Sequence, residues 1–207
     1  MIIIKKYLKA VCGLYQMAKT AAKNAYHVQQ IAEKNPGAVF SSGAVIIGEG
    51  EIIVGDDSYI EDGVIFDMRH GGEVVLGNHV TLRRGAILSP YGGRILMGDH
   101  CGVNHNSIIY GHGGFSAGDF VRIAANCVII PANHSIAIED TPIHKQPLTK
   151  RGIKMGNDIW IGAGVTILDG TEIEDGAVIA AGAVVSGNVK RNWIAGGVPA
   201  RFIQERK

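Results

Sequence analysis

The sequence lacks any apolar run of the roughly 18 residues that a membrane-spanning helix needs, so no spanning segment is expected. Its first residues show neither an apolar core of about 7–15 residues nor a small-residue cleavage site, which reads against secretion. Excess charge is also missing: 20 Lys and Arg stand against 19 Asp and Glu, for a net +1. No global field of either sign therefore selects nucleic acid as a partner. Cysteine is scarce, and its count of three is odd. Cys101 and Cys127 read as buried core thiols rather than as a disulfide or metal pair. Reduced thiols suit a cytoplasmic setting. At 207 residues, one domain is the simplest expectation.

What the chain has in plenty is glycine, 29 residues of it, and a rhythm. Between Met155 and Val189 an aliphatic side chain returns at every sixth position: Met155, Ile161, Ile167, Ile173, Ile179 and Val185. Four places after each comes a small or β-branched residue: Ile159, Val165, Thr171, Ala177, Ala183 and Val189. Gly164, Gly170, Gly176 and Gly182 fill the fourth place of their hexads, where a tight corner needs positive φ. A period of six fits neither a helix nor an alternating strand. Short strands joined by corners, three sides to a turn with aliphatics inward, do fit it, and that is a parallel β-helix of hexapeptide repeats.

The rest of the chain is read against that rhythm. Residues 1–35 carry six Lys and one Glu, many Ala and Gln, and no Pro, so a helix is expected there, ended by Asn35-Pro36-Gly37. This segment either caps the open first coil, whose strand edges need cover, or lies as a basic amphipathic helix on an anionic membrane surface. Residues 36–207 form the β-helix domain, with hexads starting near Ala44. The early coils each have one lengthened side, marked by His70-Gly71-Gly72, Tyr91-Gly92-Gly93 and His112-Gly113-Gly114. These recur every 21 residues and are expected to stack His70, Tyr91 and His112 in one column. Another 21 lands on Asn133, beside His134. Residues 131–154 then break the rhythm with a polar excursion of the kind that is usually functional. Trp193 to Arg201 should cross the end of the coil, with Phe202 and Ile203 covering it.

Three stretches carry a family likeness: Asn133-His134-Ser135, Gly156-Asn157-Asp158-Ile159-Trp160-Ile161-Gly162 and Ala195-Gly196-Gly197-Val198-Pro199-Ala200-Arg201. With the hexads they resemble the hexapeptide-repeat acyltransferases, in particular the galactoside, maltose and polysaccharide acetyltransferases. The resemblance implies a left-handed coil, acetyl-CoA as donor, a sugar acceptor, no metal, and a homotrimer with active sites between subunits. It implies His134 as general base, a role suited to a neutral imidazole, whose other ring nitrogen is held by a backbone carbonyl or a carboxylate, with Glu139 the candidate from the family pattern. Asn104 matches an acceptor-site residue. Asn133, Tyr91 and His112 join it as acceptor candidates, His112 standing where the family has an Asp. For coenzyme A, Trp160 lines the groove, Ala163 and Ala181 offer backbone contacts, and Ser186 stands where the family has Thr. Arg201, which matches the family position, and Lys190 or Arg191 nearby are candidates for the phosphates.

The function implied is acetyl transfer to a sugar hydroxyl in cell-surface polysaccharide assembly. N-acetylation of a nucleotide-linked amino sugar is the alternative, since one base serves both. Two readings from other classes are a γ-type carbonic anhydrase, for which His100 and His105 would have to converge on a metal, and an inactive β-helix scaffold that binds sugar.

Overall fold

The computed structural model describes residues 2–137 and 140–207, without the side chains of residues 2–11 and 14. It contains one helix, α1 (Ile2–Lys34), followed by a coil of short strands. The strands form three faces: a nine-stranded first face, a seven-stranded second face and a six-stranded third face. Apart from the last strand of the first face, neighbours on each face come from successive turns and run parallel. This is the parallel β-helix of hexapeptide repeats, consistent with left-handed winding. The register records the hexads directly. Trp160 pairs with Val178, 18 residues on, which is three hexads to the turn. The earlier turns are longer, as Thr81 pairing with Gly102 shows. No described helix is long and apolar enough to cross a membrane.

Every inward hexad residue between Met155 and Val189 is at most 5% exposed. Each buried aliphatic of this size contributes about 1.5–3 kcal/mol through loss of water contact. The small hexad places form inward columns at the corners, and Cys101 and Cys127 stand in them as fully buried thiols. Burial pushes both thiols above their ordinary pKa. The hexad glycines Gly164, Gly170, Gly176 and Gly182 have φ of 68°, 78°, 71° and 71°, as their corners require.

A second regularity binds the coils. At the corner from the third face to the first, Gly55-Asp56, Gly77-Asn78, Gly98-Asp99, Gly118-Asp119 and Gly156-Asn157 stack on one another. From Asn78 onward, the side-chain oxygen accepts the backbone N–H of the matching residue one turn earlier. Asp56 donates to Asn78 at 2.9 Å, Asn78 to Asp99 at 2.7 Å, Asp99 to Asp119 at 2.8 Å, and Asp119 to Asn157 at 2.8 Å. Asp175 closes the series on Asn157 at 2.8 Å. The N–H of Asn78 holds the Asp99 carboxyl below the usual carboxylate range.

The two ends of the coil are covered differently. On α1, the Asn24 side chain donates to Ala44 O at 2.8 Å and accepts from Ile46 N at 2.9 Å. Asn35 does the same for Ile52 O and Val54 N, at 3.3 and 2.7 Å. These two amides satisfy backbone groups that the first turn would otherwise leave open, and Val28 joins the core between them. At the other end, Trp193–Gly196 adds to the first face, and Arg201–Glu205 returns antiparallel beside it. Phe202 and Ile203, expected to cover the last coil, are instead 48% and 57% exposed, because the returning strand extends a face rather than crossing the core.

The Gly–Asx stack leaves no room for a side chain on its glycines. A Cβ on Gly77 would lie against the Asp99 carboxylate and 2.7 Å from the Gly98 carbonyl carbon. Gly77→Ala is therefore expected to cost about 2–3 kcal/mol in urea unfolding, the upper part of the range for overpacking. Gly164→Ala, with nothing within 4 Å but a positive φ, should cost only about 1 kcal/mol. Equal costs, or a neutral Gly77→Ala, would contradict the stacking.

Candidate active site at the second-to-third corner

The lengthened sides of the early turns fall at the corner from the second face to the third. There the expected column of rings exists. His70 stacks on Tyr91 with centroids 4.7 Å apart and planes 14° apart. Tyr91 stacks on His112 at 4.1 Å and 13°. Tyr110 leans on both Tyr91 and His112, at 5.6 and 5.7 Å. Beside the column, Asp67 is nearly buried and receives both Nε and Nη2 of Arg69, at 2.8 and 2.6 Å. That pair keeps the Asp67 carboxyl low in pKa. His112 has an enclosed Nδ1 without a hydrogen-bond partner among the described residues. Burial first, then the positive charge of Lys150 and His70, lowers its pKa.

One turn later the chain leaves this corner. Ile109 pairs with Ile129, a step of 20 rather than 21, so the count above His112 reaches Ala132 and not Asn133. Asn133 and His134 form instead the outgoing strand of a two-stranded antiparallel arm. Asn133 pairs with Thr149, and His134 with Leu148. Gln146, buried within the arm, donates its side-chain amide to Ala137 O and Thr141 O at 3.1 and 2.8 Å. His134 is exposed and lines a cavity of about 570 Å³ with Asn133, Ser135, Ile136, Ala137, Thr149 and Arg151. Glu139 lies outside the described residues.

The other expected residues lie elsewhere on the coil. Asn104, Ala163 and Ala181 are exposed at the corner between the first and second faces. That edge is open: a Cβ on Gly164 or Gly182 would meet nothing. Trp160 is 58% exposed on the first face, between Arg122 and Val178. Ser186 and Arg201 both line a 150 Å³ pocket at the end of the coil, with Trp193 and Phe202. Arg201 has no carboxylate partner among the described residues, whereas Lys190 is tied to Glu174 at 2.9 Å.

One chain therefore does not gather the whole set. His134, Asn133, Tyr91 and His112 stand on one edge of the second face, and Asn104, Trp160, Ala163 and Ala181 on or beyond the other. Strands of three to four residues, about 13 Å, separate the two edges. Within one chain His100 and His105 do not converge either. His100 is stacked between His79 and Phe120 at the third-to-first corner, while His105 sits at the first-to-second.

The sequence reading missed one residue of the site, Asp169. Asp169 is 9% exposed, and its carboxylate accepts the N–H groups of Arg151 and Gly152 at 2.8 and 2.9 Å and the Thr149 hydroxyl at 3.0 Å. The available signal was a carboxylate inside the hexad run, at Leu168-Asp169-Gly170, where the coil needs none.

Residues 152–187 match the family described as bacterial transferase hexapeptide (six repeats). Among curated proteins no relative matches the sequence. Among solved structures, a point mutant of AntD, an N-acyltransferase from Bacillus cereus, in complex with dTDP and coenzyme A, superposes with a TM-score of 0.61 at 19% identity. The match covers 86% of this chain and 89% of that one, and is a likeness of fold. A galactoside acetyltransferase in complex with coenzyme A gives 0.52 at 25% identity, over 75% and 64% of the two chains. The hexapeptide-repeat acetyltransferase VCA0836 from Vibrio cholerae, with acetyl-coenzyme A, gives 0.56 at 28% identity, over 63% and 70%.

The ring column carries its own test. Because the fold disfavours the charged form of His112, the unfolded chain takes up a proton near its ordinary pKa of about 6.5 that the folded chain refuses. Stability from this group is thus present above that pH and lost as pH falls through it. An NMR titration of His112 should show a midpoint below the ordinary value, moving up in Lys150→Ala. A midpoint at or above the ordinary value would contradict the enclosure.

Proposed function

We propose that this chain, built of bacterial transferase hexapeptide repeats, is an acetyl-CoA-dependent acetyltransferase acting on a sugar hydroxyl in cell-surface polysaccharide assembly. The observation that carries the proposal is His134, exposed at the base of an arm and facing a cavity of about 570 Å³, on a hexapeptide-repeat coil. The thioester arrives already activated, so the protein has two tasks. It must hold donor and acceptor together, and it must take a proton from the acceptor as that oxygen attacks the acetyl carbon. A neutral His134 can take that proton, then return it to the departing thiolate. His70, Tyr91 and His112 offer ring nitrogens and a phenol to acceptor hydroxyls beneath the arm. The open corner of Ala163 and Ala181 gives the pantetheine chain a path beside Trp160, and Arg201 supplies a cation at the end of that path.

The donor path and the base stand on different edges, so the reading needs a second copy of the chain. The outward side of the second face supports one. Ile65, Ile87, Ile108, Val128, Thr166 and Val184 stack there in register as a half-exposed, largely apolar stripe along the coil. Contiguous apolar surface along a fold is where protein contacts form. A trimer that packs these stripes together would bring the first-to-second corner of one copy against the second-to-third corner of the next.

A second reading is N-acetylation of a nucleotide-linked amino sugar. It is favoured by the extent of the likeness to AntD, which spans more of both chains than the likeness to the galactoside enzyme. The departure at His112 from the galactoside branch points the same way.

Thiol release from acetyl-CoA, followed across a panel of free sugars, galactosides, dTDP-4-amino-4,6-dideoxyglucose and plain water, separates the two readings. His134→Ala should bind coenzyme A normally and lower kcat by roughly 10²–10⁴. A variant that keeps a near-normal rate would remove His134 from the chemistry.

A further inference from the structure

Asp169 has a place in the fold that its hexad does not explain. Ile130 pairs with Leu168, so Asp169 lies one step beyond that pair, over Pro131, where the chain departs into the arm. The two turns below have Pro90 and Gly111 at this step, and neither carries a side-chain acceptor. A nearly buried carboxylate is costly unless its oxygens are satisfied. All three of its donors come from the returning limb of the arm: Thr149, Arg151 and Gly152. Thr149 is the direct partner of Asn133 in the arm's two-stranded ladder, and Leu148 is the partner of His134. Thr149 Oγ1 also lies 3.4 Å from Asn133 O. The contacts thus run without a break from Asp169 through the return strand to the residue that bears the imidazole.

We propose that Asp169 is the positioning residue for His134. It fixes the return strand against the coil, and the return strand in turn fixes the height and direction at which the imidazole meets the cavity. The carboxylate takes no part in proton transfer. The coil supplies a rigid platform, the arm carries the base, and Asp169 is the buried joint between them. The proposal rests on the reading of His134 as the base and adds the reason that an exposed residue on a short two-stranded arm can hold a defined position.

The test is a double-substitution cycle, with acetyl-CoA as donor and, as acceptor, the panel member that gives most thiol release, water included. Asp169→Ala should lower kcat roughly 10–100-fold, since a displacement of about 1 Å at a reacting group costs that much. KM for acetyl-CoA should stay within about threefold, because the donor path lies on the other edge. Asp169→Asn keeps a carbonyl acceptor for the two backbone N–H groups, and its amide can donate to Thr149, so it should restore most of the rate. In a His134→Ala background, Asp169→Ala should have no further effect on kcat. If Asp169→Ala does not fold, Thr149→Val decides, because that side chain is exposed and its loss removes only one limb of the joint; it should slow the enzyme several-fold. An equal loss from Asp169→Ala with and without His134 would make Asp169 a general structural support and overturn the proposal. So would a rate in Asp169→Ala, or in Thr149→Val where that variant decides, within about twofold of the parent. A His134→Ala chain with a near-normal rate would instead sink the reading of the base, and that outcome is seen without touching Asp169.

Discussion

Everything in this molecule depends on how closely one turn of backbone lies on the next. Parallel strands sit about 4.8 Å apart, and at the corners the same spacing must hold without the pleat to accommodate side chains. The Gly–Asx stack shows how the sequence meets that demand. Glycine is needed at 55, 77, 98, 118 and 156 because the next turn's Asx oxygen or backbone occupies the space a Cβ would take. The same oxygen then satisfies a backbone N–H that the corner would otherwise leave open. The inward columns of Ile, Val and Leu fill the prism, but the corners set its pitch.

A fixed pitch turns repetition in sequence into contact in space. Residues that recur at one corner must stack, whatever their chemistry. At the third-to-first corner this produces the exposed pile of His79, His100 and Phe120. At the second-to-third corner it produces His70, Tyr91 and His112. A corner is also the one place where the chain can leave the coil without breaking a strand, which is why the arm inserts between Pro131 and Gly152 and the next turn resumes in register. The site follows from that geometry: a rigid column of rings below, an arm with an imidazole beside it, and a carboxylate from the turn above holding the arm's return.

Much of this was legible in the residues. The hexads imply the fold because a period of six fits neither helix nor alternating strand, and the 21-residue spacing of the Gly-Gly pairs is enough to place three rings in one stack. The count failed one turn later, where the pairing step shortens to 20 and sends Asn133 outward into a ribbon. The helix over residues 1–35 was visible in composition, but the use of Asn24 and Asn35 as substitutes for a missing strand was not. Nothing local marks an Asn whose partners are backbone groups 17 to 22 residues away. Asp169 was hidden for the same reason, since its donors lie across the arm. The final strand was misjudged because its apolar Phe202-Ile203 looks like cover, whereas edge pairing of its backbone governs where it lies.

The division of the candidate residues between two edges of the second face is the point on which the functional reading turns. On the proposed reading, chains carrying His134→Ala lose the base but keep the donor edge, and chains carrying Ala163→Trp, a bulky change expected to block the donor edge, keep the base. The decisive measurement is the rate of acetyl transfer after the two inactive variants are unfolded together and refolded as mixed oligomers. If each site is built from two copies, random mixing in a homo-oligomer should restore about a quarter of the parent activity. Activity that stays at the sum of the two separate variants would mean that base and donor path belong to one chain, and the site as described here would be wrong.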